Sequence, residues 1–309
     1  MASRAKWMIY GANGYTGRLI SVEAKGRGLQ PVLAGRRTDP IQKLAAELGF
    51  PAQIFDLSDA TSSTAALADI AVVANCAGPF AATSGPMIDA CLKNRSHYLD
   101  ITGEIEVFLA AQRRHADAKA AGTVICPGVG FDVIPTDCIA AVLKEALPDA
   151  THLVLAFDAR GAMSPGTART MTESLRLGHR GGRIRRNGMI EEVPLEHSWR
   201  RVDFEGGSAP AIAIAWGDLA TAWFSTGIPN IETYVKVPFA VAFAGPALNW
   251  ARPLLASAPG QAVLQQLAKR SPGPSEEELR TGRSRLWGEV RNAARVRRTA
   301  RLETANGTA

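Results

Sequence analysis

The sequence predicts an α/β protein in which a doubly wound parallel sheet is followed by an α+β domain with a mostly antiparallel sheet. Three observations carry this prediction. Apolar runs alternate with helical patterns through the first 134 residues, a glycine-rich turn follows the first run, and an Asn-Gly hairpin signal lies in a β-rich second half. We therefore expect two domains, residues 1–134 and residues 135–309.

The first strand and the turn after it organise the N-terminal domain. Residues 7–10 are apolar and lead into a GxxGxxG turn, after which a helical pattern begins. The first glycine allows the chain to leave the strand, the second lets a pyrophosphate approach the backbone, and the third lets the helix pack close to the strand. This position between strand and helix predicts a Rossmann-type dinucleotide site. The candidate cofactor residues of the turn are Gly11, Asn13, Gly14, Tyr15, Thr16 and Gly17.

The end of the second predicted strand indicates which dinucleotide is bound. Residues 31–35 run into Arg36 and Arg37, with no carboxylate at this point. NAD sites usually place an acidic residue here, whereas arginine suits the 2′-phosphate of NADP because the guanidinium fork matches phosphate geometry. The sequence therefore predicts NADP(H), and we interpret Asp39 as a helix cap.

Two further strand ends supply candidate cofactor contacts. Asp56 follows the third predicted strand, where it either faces the adenine or caps the next helix. The fourth predicted strand, residues 71–75, runs into small residues that allow the backbone to approach the ribose and phosphate. A helix is predicted to begin at residues 84–86, with Pro86 in its first turn. The candidate cofactor residues after the fourth strand are Cys76, Ala77, Gly78, Pro79 and Phe80.

The rest of the first domain completes the alternating pattern. Residues 97–100 and 123–126 are the fifth and sixth predicted strands, and residues 104–121 are predicted to form one long helix between them. Because parallel strands place their carboxyl ends at one edge of the sheet, the polar residues at these ends are expected to lie on the cofactor side.

Three segments occur together in this order: GANGYTG at 11–17, NCAGPF at 75–80 continuing to HYLDITGE at 97–104, and PGVGFDVIPTD at 127–137. With them the chain resembles the saccharopine dehydrogenase-like oxidoreductases, particularly the branch that includes trans-acting enoyl reductases of lipid and polyketide assembly. The resemblance implies a Rossmann domain that binds NADP(H) and a substrate domain after it. Relatives usually continue through a tyrosine into a final helix, so the C-terminal end is expected to be shortened.

The second half is predicted to be rich in β-structure. An Asn-Gly turn within residues 184–190 predicts a hairpin. Residues 238–256 are apolar but are interrupted by Gly, Pro and Arg, so they are too broken to span a bilayer. They are interpreted either as short helices that cover the domain or as a lipid-facing surface. Other expected elements are helices at 135–147, 166–177 and 276–282 and strands at 153–158, 199–204, 211–216, 231–237, 285–290 and 296–303.

The catalytic group is less clearly indicated. Short-chain dehydrogenases use a Tyr-x-x-x-Lys pair, and no tyrosine of this chain has lysine four positions later, so that catalytic class is excluded. Tyr98 and Asp132 are the candidate proton donors, and a carboxyl group would need a raised pKa for this task at neutral pH. Asp132 also has a structural interpretation, as a residue that orders the loop before Pro135. Water is a further proton source for enoyl reduction.

The net charge and the cysteine content limit the classes of partner that the protein is expected to bind. The formal net charge is +6, with the basic excess late in the chain, which fits a phosphorylated cofactor, an acyl thioester, an acidic carrier, a membrane surface or nucleic acid. The four cysteines lack CxxC spacing, so we expect reduced, buried thiols and no metal site.

The N-terminus leads directly into the first strand, so we expect a cytoplasmic protein, with membrane-peripheral contact through 238–256 as the alternative. No recognition helix for nucleic acid is indicated, and a homodimer is compatible with the sequence.

These observations lead to one main functional hypothesis and two alternatives. The main hypothesis is NADPH-dependent hydride transfer to an enoyl-thioester or a related lipid or polyketide intermediate, bound as a small molecule or on a carrier. The first alternative is C–N dehydrogenase chemistry on an amino acid, as the family name implies. The second alternative is a non-catalytic regulator or scaffold that binds NADP.

Overall fold

A computed structural model describes residues 6–158, 181–194, 197–204, 207–240 and 275–307, together with positions 257, 259–260, 262–263 and 266. The chain divides into two compact units, residues 1–130 and 131–309. Most of the apolar segment 238–256 and the whole predicted helix 166–177 lie outside the described residues. None of the helices in the described ranges is long and apolar enough to cross a lipid bilayer.

The first unit contains a six-stranded sheet in which every neighbouring pair is parallel. Its strands are β1 (Lys6–Tyr10), β2 (Val32–Gly35), β3 (Ala52–Ile54), β4 (Ile70–Asn75), β5 (His97–Asp100) and β6 (Ile125–Cys126). Their order in the sheet is β3-β2-β1-β4-β5-β6, so the order reverses between β1 and β4. This confirms the predicted doubly wound sheet, and its switch point lies where such folds bind ligands.

Helices connect these strands. They are α1 (Tyr15–Gly26), α2 (Thr38–Leu48), α3 (Ala60–Ala66), α4 (Phe80–Asn94), α5 (Ile105–Arg113) and α6 (His115–Ala121). The central strand β1 is buried on both faces, because Met8 and Tyr10 join one apolar cluster while Ile9 joins another. This two-sided burial explains why β1 is a continuous apolar run.

Two helix predictions were wrong. α4 begins at Phe80 rather than at residues 84–86, and Pro86 lies inside it. The helix starts early because the Glu104 carboxylate accepts the backbone N–H groups of Phe80 and Ala81, which supplies a cap that sequence spacing does not reveal. The predicted single helix 104–121 is two helices, α5 and α6, which are separated at Arg114.

The second unit contains an eight-stranded, mostly antiparallel sheet, as predicted. Its strands are β7 (His152–Asp158), β8 (Gly181–Arg186), β9 (Met189–Pro194), β10 (Trp199–Asp203), β11 (Ser208–Ile214), β12 (Asn230–Lys236), β13 (Arg283–Arg291) and β14 (Arg297–Ala305). Six of them follow the order β10-β11-β12-β7-β13-β14, and β8 joins β12 and carries β9. The β12–β7 pair is parallel and the other pairs are antiparallel. Asn187 and Gly188 form the predicted tight turn, both with positive φ.

Helices pack on one face of this second sheet. They are α7 (Ile134–Ala146) and α8 (Asp218–Thr226), and a short α9 (Glu276–Thr281) lies before β13. A Cβ on Gly288 of β13 would stand 2.4 Å from Ile139 and 2.8 Å from Leu143, so α7 lies directly on the sheet. The sequence analysis missed α8, a nine-residue helix between two strands.

Candidate cofactor and active site

The glycines of the first βα turn are required by close packing. Gly11 has a φ of +79°, and a Cβ on it would lie 2.8 Å from the backbone nitrogen of Ala77. A Cβ on Gly17 would lie 2.4 Å from the Gly11 carbonyl oxygen. The turn therefore needs glycine at Gly11 for its backbone conformation and its contact with the loop after β4, and at Gly17 for the approach of α1 to the turn.

The N-terminus of α1 lacks a side-chain cap. Gly14 is the N-cap residue, and it is exposed. Because a glycine cap provides no oxygen for the first N–H groups of the helix, this end suits an anionic ligand. Asn13 and Thr16 flank it, and both are half-buried. The Tyr15 hydroxyl is enclosed, yet it has no hydrogen-bond partner among the described residues, and burial raises the pKa of this phenol.

The two arginines that follow β2 are exposed. In the described part of the chain neither guanidinium forms an ion pair or a hydrogen bond. Arg37 is the N-cap residue of α2, so the interpretation of Asp39 as the cap was wrong: Asp39 lies inside the first turn of that helix. Arg36 lies close enough to Tyr10 to oppose the rise that burial causes in the pKa of that phenol. It also lies close enough to Asp56 to contribute to the lowering of the pKa of that carboxyl group. Two unpaired cations at this strand end fit a phosphate group.

Asp56 is exposed at the end of β3, and its carboxylate is held by Ser58. One oxygen accepts the backbone N–H and the hydroxyl of Ser58, each at 2.9 Å. These bonds lower the pKa of Asp56 below its usual value. The cap of α3 is Asp59, whose carboxylate accepts the N–H groups of Thr61 and Ser62. Asp56 therefore orders the turn before α3 without capping it, and contact with adenine stays a prediction.

The loop after β4 connects this strand to α4. A cis peptide bond joins Gly78 and Pro79. Cys76 is half-buried, and burial, with a smaller contribution from Asp100, raises the pKa of its thiol to about 12. The thiol therefore stays protonated at neutral pH and is a poor nucleophile. Glu104 fixes the far end of the loop through the N–H groups of Phe80 and Ala81, at 2.9 and 2.8 Å.

A buried carboxylate ties the ends of β4, β5 and β6 together. Asp100 is 1% exposed, and one of its oxygens accepts the backbone N–H groups of Thr102 at 2.9 Å and Gly128 at 2.7 Å. Its other oxygen accepts the Tyr98 hydroxyl at 2.6 Å. Asn75 donates its side-chain amide to that hydroxyl at 3.3 Å, and its own oxygen accepts the N–H of Ala77. Asp100 and its partners thereby connect the second and the third of the sequence segments that carried the resemblance.

Tyr98 lies inside this network. It is fully buried, and burial together with the neighbouring Asp100 raises its pKa well above the usual value. Its hydroxyl donates its proton in a hydrogen bond to Asp100, and the hydroxyl oxygen accepts a hydrogen bond from the Asn75 amide. These contacts favour a positioning role for Tyr98, and its role as a proton donor remains an untested prediction. Asn75 was not among the predicted site residues, although it begins the segment NCAGPF that carried the resemblance.

Asp132 belongs to the second unit, just before α7. The residue is half-buried, and burial raises the pKa of its carboxyl group to about 6. The Trp216 indole donates to the Asp132 backbone carbonyl, which fixes the backbone at this position. A carboxyl group that titrates near pH 6 is partly protonated close to neutrality, so Asp132 has the property that a general acid requires.

The thiols only partly follow the prediction. Cys91 is buried and Cys76 half-buried, but Cys126 and Cys138 are exposed, so the expectation of four buried thiols was wrong. All four are free. Within the described ranges no group of three or more His, Cys, Asp or Glu side chains has the geometry to hold a metal ion.

The glycine turn predicts a sharp contrast between two substitutions in α1. Gly17→Ala should lower the free energy of unfolding by about 1–3 kcal/mol, because the new methyl group collides with backbone that cannot move aside. Gly26→Ala is the matched control, since nothing lies within 4 Å of a Cβ there. It should be neutral or stabilise by about 0.5–1 kcal/mol. Urea unfolding followed by circular dichroism measures both, and equal effects would contradict the packing role of Gly17.

The Asp100 network predicts a cost for removing one buried hydroxyl. Tyr98→Phe should destabilise by about 1–3 kcal/mol, because Asp100 and Asn75 each lose a buried partner. Tyr10→Phe is the control, since the Tyr10 hydroxyl makes one longer bond, at 3.3 Å to the Phe55 carbonyl. Thermal unfolding of both variants tests the network. If Tyr98→Phe cost no more than the control, Asp100 would not depend on the phenol.

Comparisons with known proteins bear on both units. Residues 7–126 match the family model described as the saccharopine dehydrogenase NADP-binding domain. A human saccharopine dehydrogenase-like oxidoreductase is 30% identical over 150 residues, which are 42% of this chain and 35% of that protein. A trans-acting enoyl reductase of Mycobacterium bovis is 28% identical over 184 residues, which are 55% of this chain and 44% of that protein. The matches thus span less than half the length of these relatives.

A solved structure extends the likeness in fold. The apo saccharopine dehydrogenase (L-Glu forming) of Saccharomyces cerevisiae superposes with a TM-score of 0.62 and covers 97% of this chain and 85% of its own. Its sequence is 12% identical, so this match shows shared architecture. The resemblance drawn from the three sequence segments is confirmed by the match of the family model. Residues 7–126 thus correspond to a saccharopine dehydrogenase NADP-binding domain, and over that part of its length the chain is similar to saccharopine dehydrogenase-like oxidoreductases.

Proposed function

We propose that this protein is an NADPH-dependent reductase that acts on an enoyl thioester or a related acyl intermediate. The observations that carry the cofactor assignment are the exposed guanidinium groups of Arg36 and Arg37, which have no ion pair or hydrogen bond among the described residues, and the uncapped N-terminus of α1. Such a pair suits the 2′-phosphate that distinguishes NADPH from NADH. When bound, NADPH supplies a hydride, and the protein's task is to hold, orient and protonate.

Each part of the cofactor has candidate contacts in the first unit. The backbone N–H groups at the start of α1 would receive the pyrophosphate, which Gly14 leaves accessible. The loop from Cys76 to Phe80 would lie against the ribose nearest the reacting end, with its position fixed by Asn75 and Glu104. The partnerless Tyr15 hydroxyl is a further polar group that a ligand could satisfy.

Asp132 is the proposed source of the proton. Reduction of a carbon–carbon double bond consumes one hydride and one proton, and a carboxyl group with a pKa of about 6 can supply that proton near neutrality. Tyr98 is assigned a positioning role because its hydroxyl is bound to Asp100.

The enoyl-thioester class is favoured by the trans-acting enoyl reductase, whose match extends over 184 residues. The apolar sequence 238–256 also suits a long acyl chain. C–N dehydrogenase chemistry on an amino acid would call for several basic groups around substrate carboxylates. Arg169 and Arg176 of the second half could contribute to such a group, but they lie outside the described residues. A regulator that binds NADP without turnover is the non-enzymatic alternative.

Cofactor preference provides the first test. Titration with NADPH and NADH should show tighter binding of NADPH, and Arg36→Ala/Arg37→Ala should weaken NADPH binding about 10- to 100-fold because charge-assisted bonds to the 2′-phosphate are lost. Binding of NADH should change little. Arg113→Ala, an exposed arginine on α5, is the control. Equal weakening of both nucleotides by the double variant would contradict a phosphate-specific role.

The pH dependence of turnover tests Asp132. NADPH oxidation should be measured with enoyl thioesters of several chain lengths and, separately, with an amine and a 2-oxo acid supplied together. With the active substrate, kcat/KM should fall about tenfold per pH unit above about pH 6, as Asp132 loses its proton. Asp132→Asn should lower kcat by about 10²- to 10⁴-fold and remove this dependence, without affecting NADPH binding.

An exposed aspartate of the same unit provides the control for that experiment. Asp149→Asn should retain both the rate and the pH profile. A pH profile of Asp132→Asn that is unchanged would remove this residue as the acid and leave water as the proton source. Tight NADPH binding without oxidation by either substrate class would favour the regulator.

A further inference from the structure

A polar seam runs between two helices of the second unit, α7 and α8. Asp218, Thr221 and Ser225 lie at positions i, i+3 and i+7 of α8 and therefore on one side of that helix. Asp137 of α7 faces them, because the Ser225 hydroxyl donates to one of its carboxylate oxygens at 2.6 Å. Asp218 is 1% exposed, so a carboxyl group lies at the buried end of this seam.

Four oxygens of the seam are buried without partners. They are both carboxyl oxygens of Asp218, the second oxygen of Asp137 and the Thr221 hydroxyl, none of which has a hydrogen bond among the residues that the structure describes. The Thr136 hydroxyl is near Asp218, but it donates to the Val133 carbonyl at 3.0 Å. Since buried polar groups almost always have partners, four orphan oxygens in one seam indicate a ligand there.

The charges around Asp218 determine what the ligand is. The charged groups that act on it are Asp137 and Asp132, both acidic, while the Thr136 hydroxyl and the backbone N–H of Asp218 act in the opposite direction. Arg185 of β8 also packs on α8, but its contacts are with other residues: it donates to the Leu219 carbonyl at 2.6 Å, and its guanidinium lies 5.1 Å from the centroid of the Trp223 ring. No cation of the described residues contributes to the pKa of Asp218, and an ionised carboxylate buried beside two acids without a cation is strongly disfavoured.

We propose that the seam between α7 and α8 stores a proton: Asp218 is a neutral carboxylic acid, and at least one ordered water molecule joins it to Thr221 and Asp137. A water needs two to four polar partners, and the four orphan oxygens supply them. The direction of the pKa of Asp218, raised well above its usual value by burial and further by Asp137 and Asp132, agrees with this arrangement. Metal binding is not favoured, since no metal-holding group of acidic side chains is found in the described ranges.

The seam also connects the buried acid to solvent. Asp137 is half-buried and Ser225 is exposed, so hydrogen bonds run from Asp218 through the water to Asp137, to Ser225 and to the surface. A use for this path rests on the proposed reductase function. Each turnover takes one proton from Asp132, the store returns one proton to Asp132, and bulk water returns one to the store through Asp137 and Ser225. No electrons move along this path.

The protonation state can be measured without substrate or cofactor. Infrared spectra of the full chain at pH 8, where Asp132 is ionised, should contain the C=O band of a buried carboxylic acid, which shifts in D2O. Asp218→Asn should remove that band, and Asp69→Asn, at an exposed surface aspartate, should leave it unchanged. Thr221→Val should shift its frequency, because the hydrogen bonding of the acid changes. If the wild-type chain has no such band, or if the band survives in Asp218→Asn, the proposal is overturned.

Thermal stability gives an independent test. A raised folded-state pKa means that the folded chain holds a proton that the unfolded chain releases above about pH 4. The difference in Tm between Asp218→Asn and wild type should therefore grow in favour of the variant as the pH rises from about 4 towards 8. Asp69→Asn should show no such trend. An increase in wild-type Tm with NaCl or KCl that exceeds that of Asp218→Asn would indicate a bound cation and overturn the proposal.

The effect of Asp218 on turnover can be tested separately from its protonation state. Under the proposed function, Asp218→Asn should lower kcat at pH 8 while the Kd for NADPH and KM stay unchanged. If the protein proves not to be a reductase, the infrared band and the Tm trend still decide whether the seam holds a proton. If turnover is found and the band is absent, the store fails while the function stands.

Discussion

The buried carboxylate of Asp100 is the interaction on which the first unit's candidate site depends. One of its oxygens holds the backbone of the 127–129 loop and of Thr102, and the other holds Tyr98. Hydrogen bonds from Tyr98 through Asn75 extend this network to the backbone N–H of Ala77. The backbone of Ala77 in turn lies against Gly11 of the first turn. A single buried group thus fixes the relative positions of three loops at the carboxyl edge of the sheet. Burial raises its pKa, and the three hydrogen bonds that it accepts act in the opposite direction.

The two units carry different parts of the proposed chemistry. The first provides rigid backbone at a sheet edge, an uncapped helix and two free guanidinium groups, which are features for holding an anionic dinucleotide. The second contains buried carboxyl groups whose pKa values are raised by loss of solvent, at Asp132, Asp137 and Asp218. Burial thus favours the neutral form of these carboxyl groups, which is the form that can donate a proton.

Local patterns in the sequence predicted the features that local chemistry determines. The glycine turn, the arginines after β2 and the Asn-Gly hairpin each follow from a few adjacent residues, and the order of alternating strands and helices predicted the parallel sheet. The start of α4 could not be predicted in this way, because it depends on Glu104, which lies 24 residues after Phe80. Asp100 and Asn75 likewise act through contacts between elements, and the acid of α8 was missed because the helix itself was missed.

Hydrogen–deuterium exchange of the full chain, with and without nucleotide, tests the central claim most directly. The account predicts that NADPH slows exchange at residues 11–17 and in the loop and helix start at 76–81, and also around residues 36–37. NADH should protect the first two segments and leave 36–37 unprotected, since it lacks the 2′-phosphate. Absence of protection at 11–17 with saturating NADPH would contradict a dinucleotide site at this turn, and with it the proposed reductase.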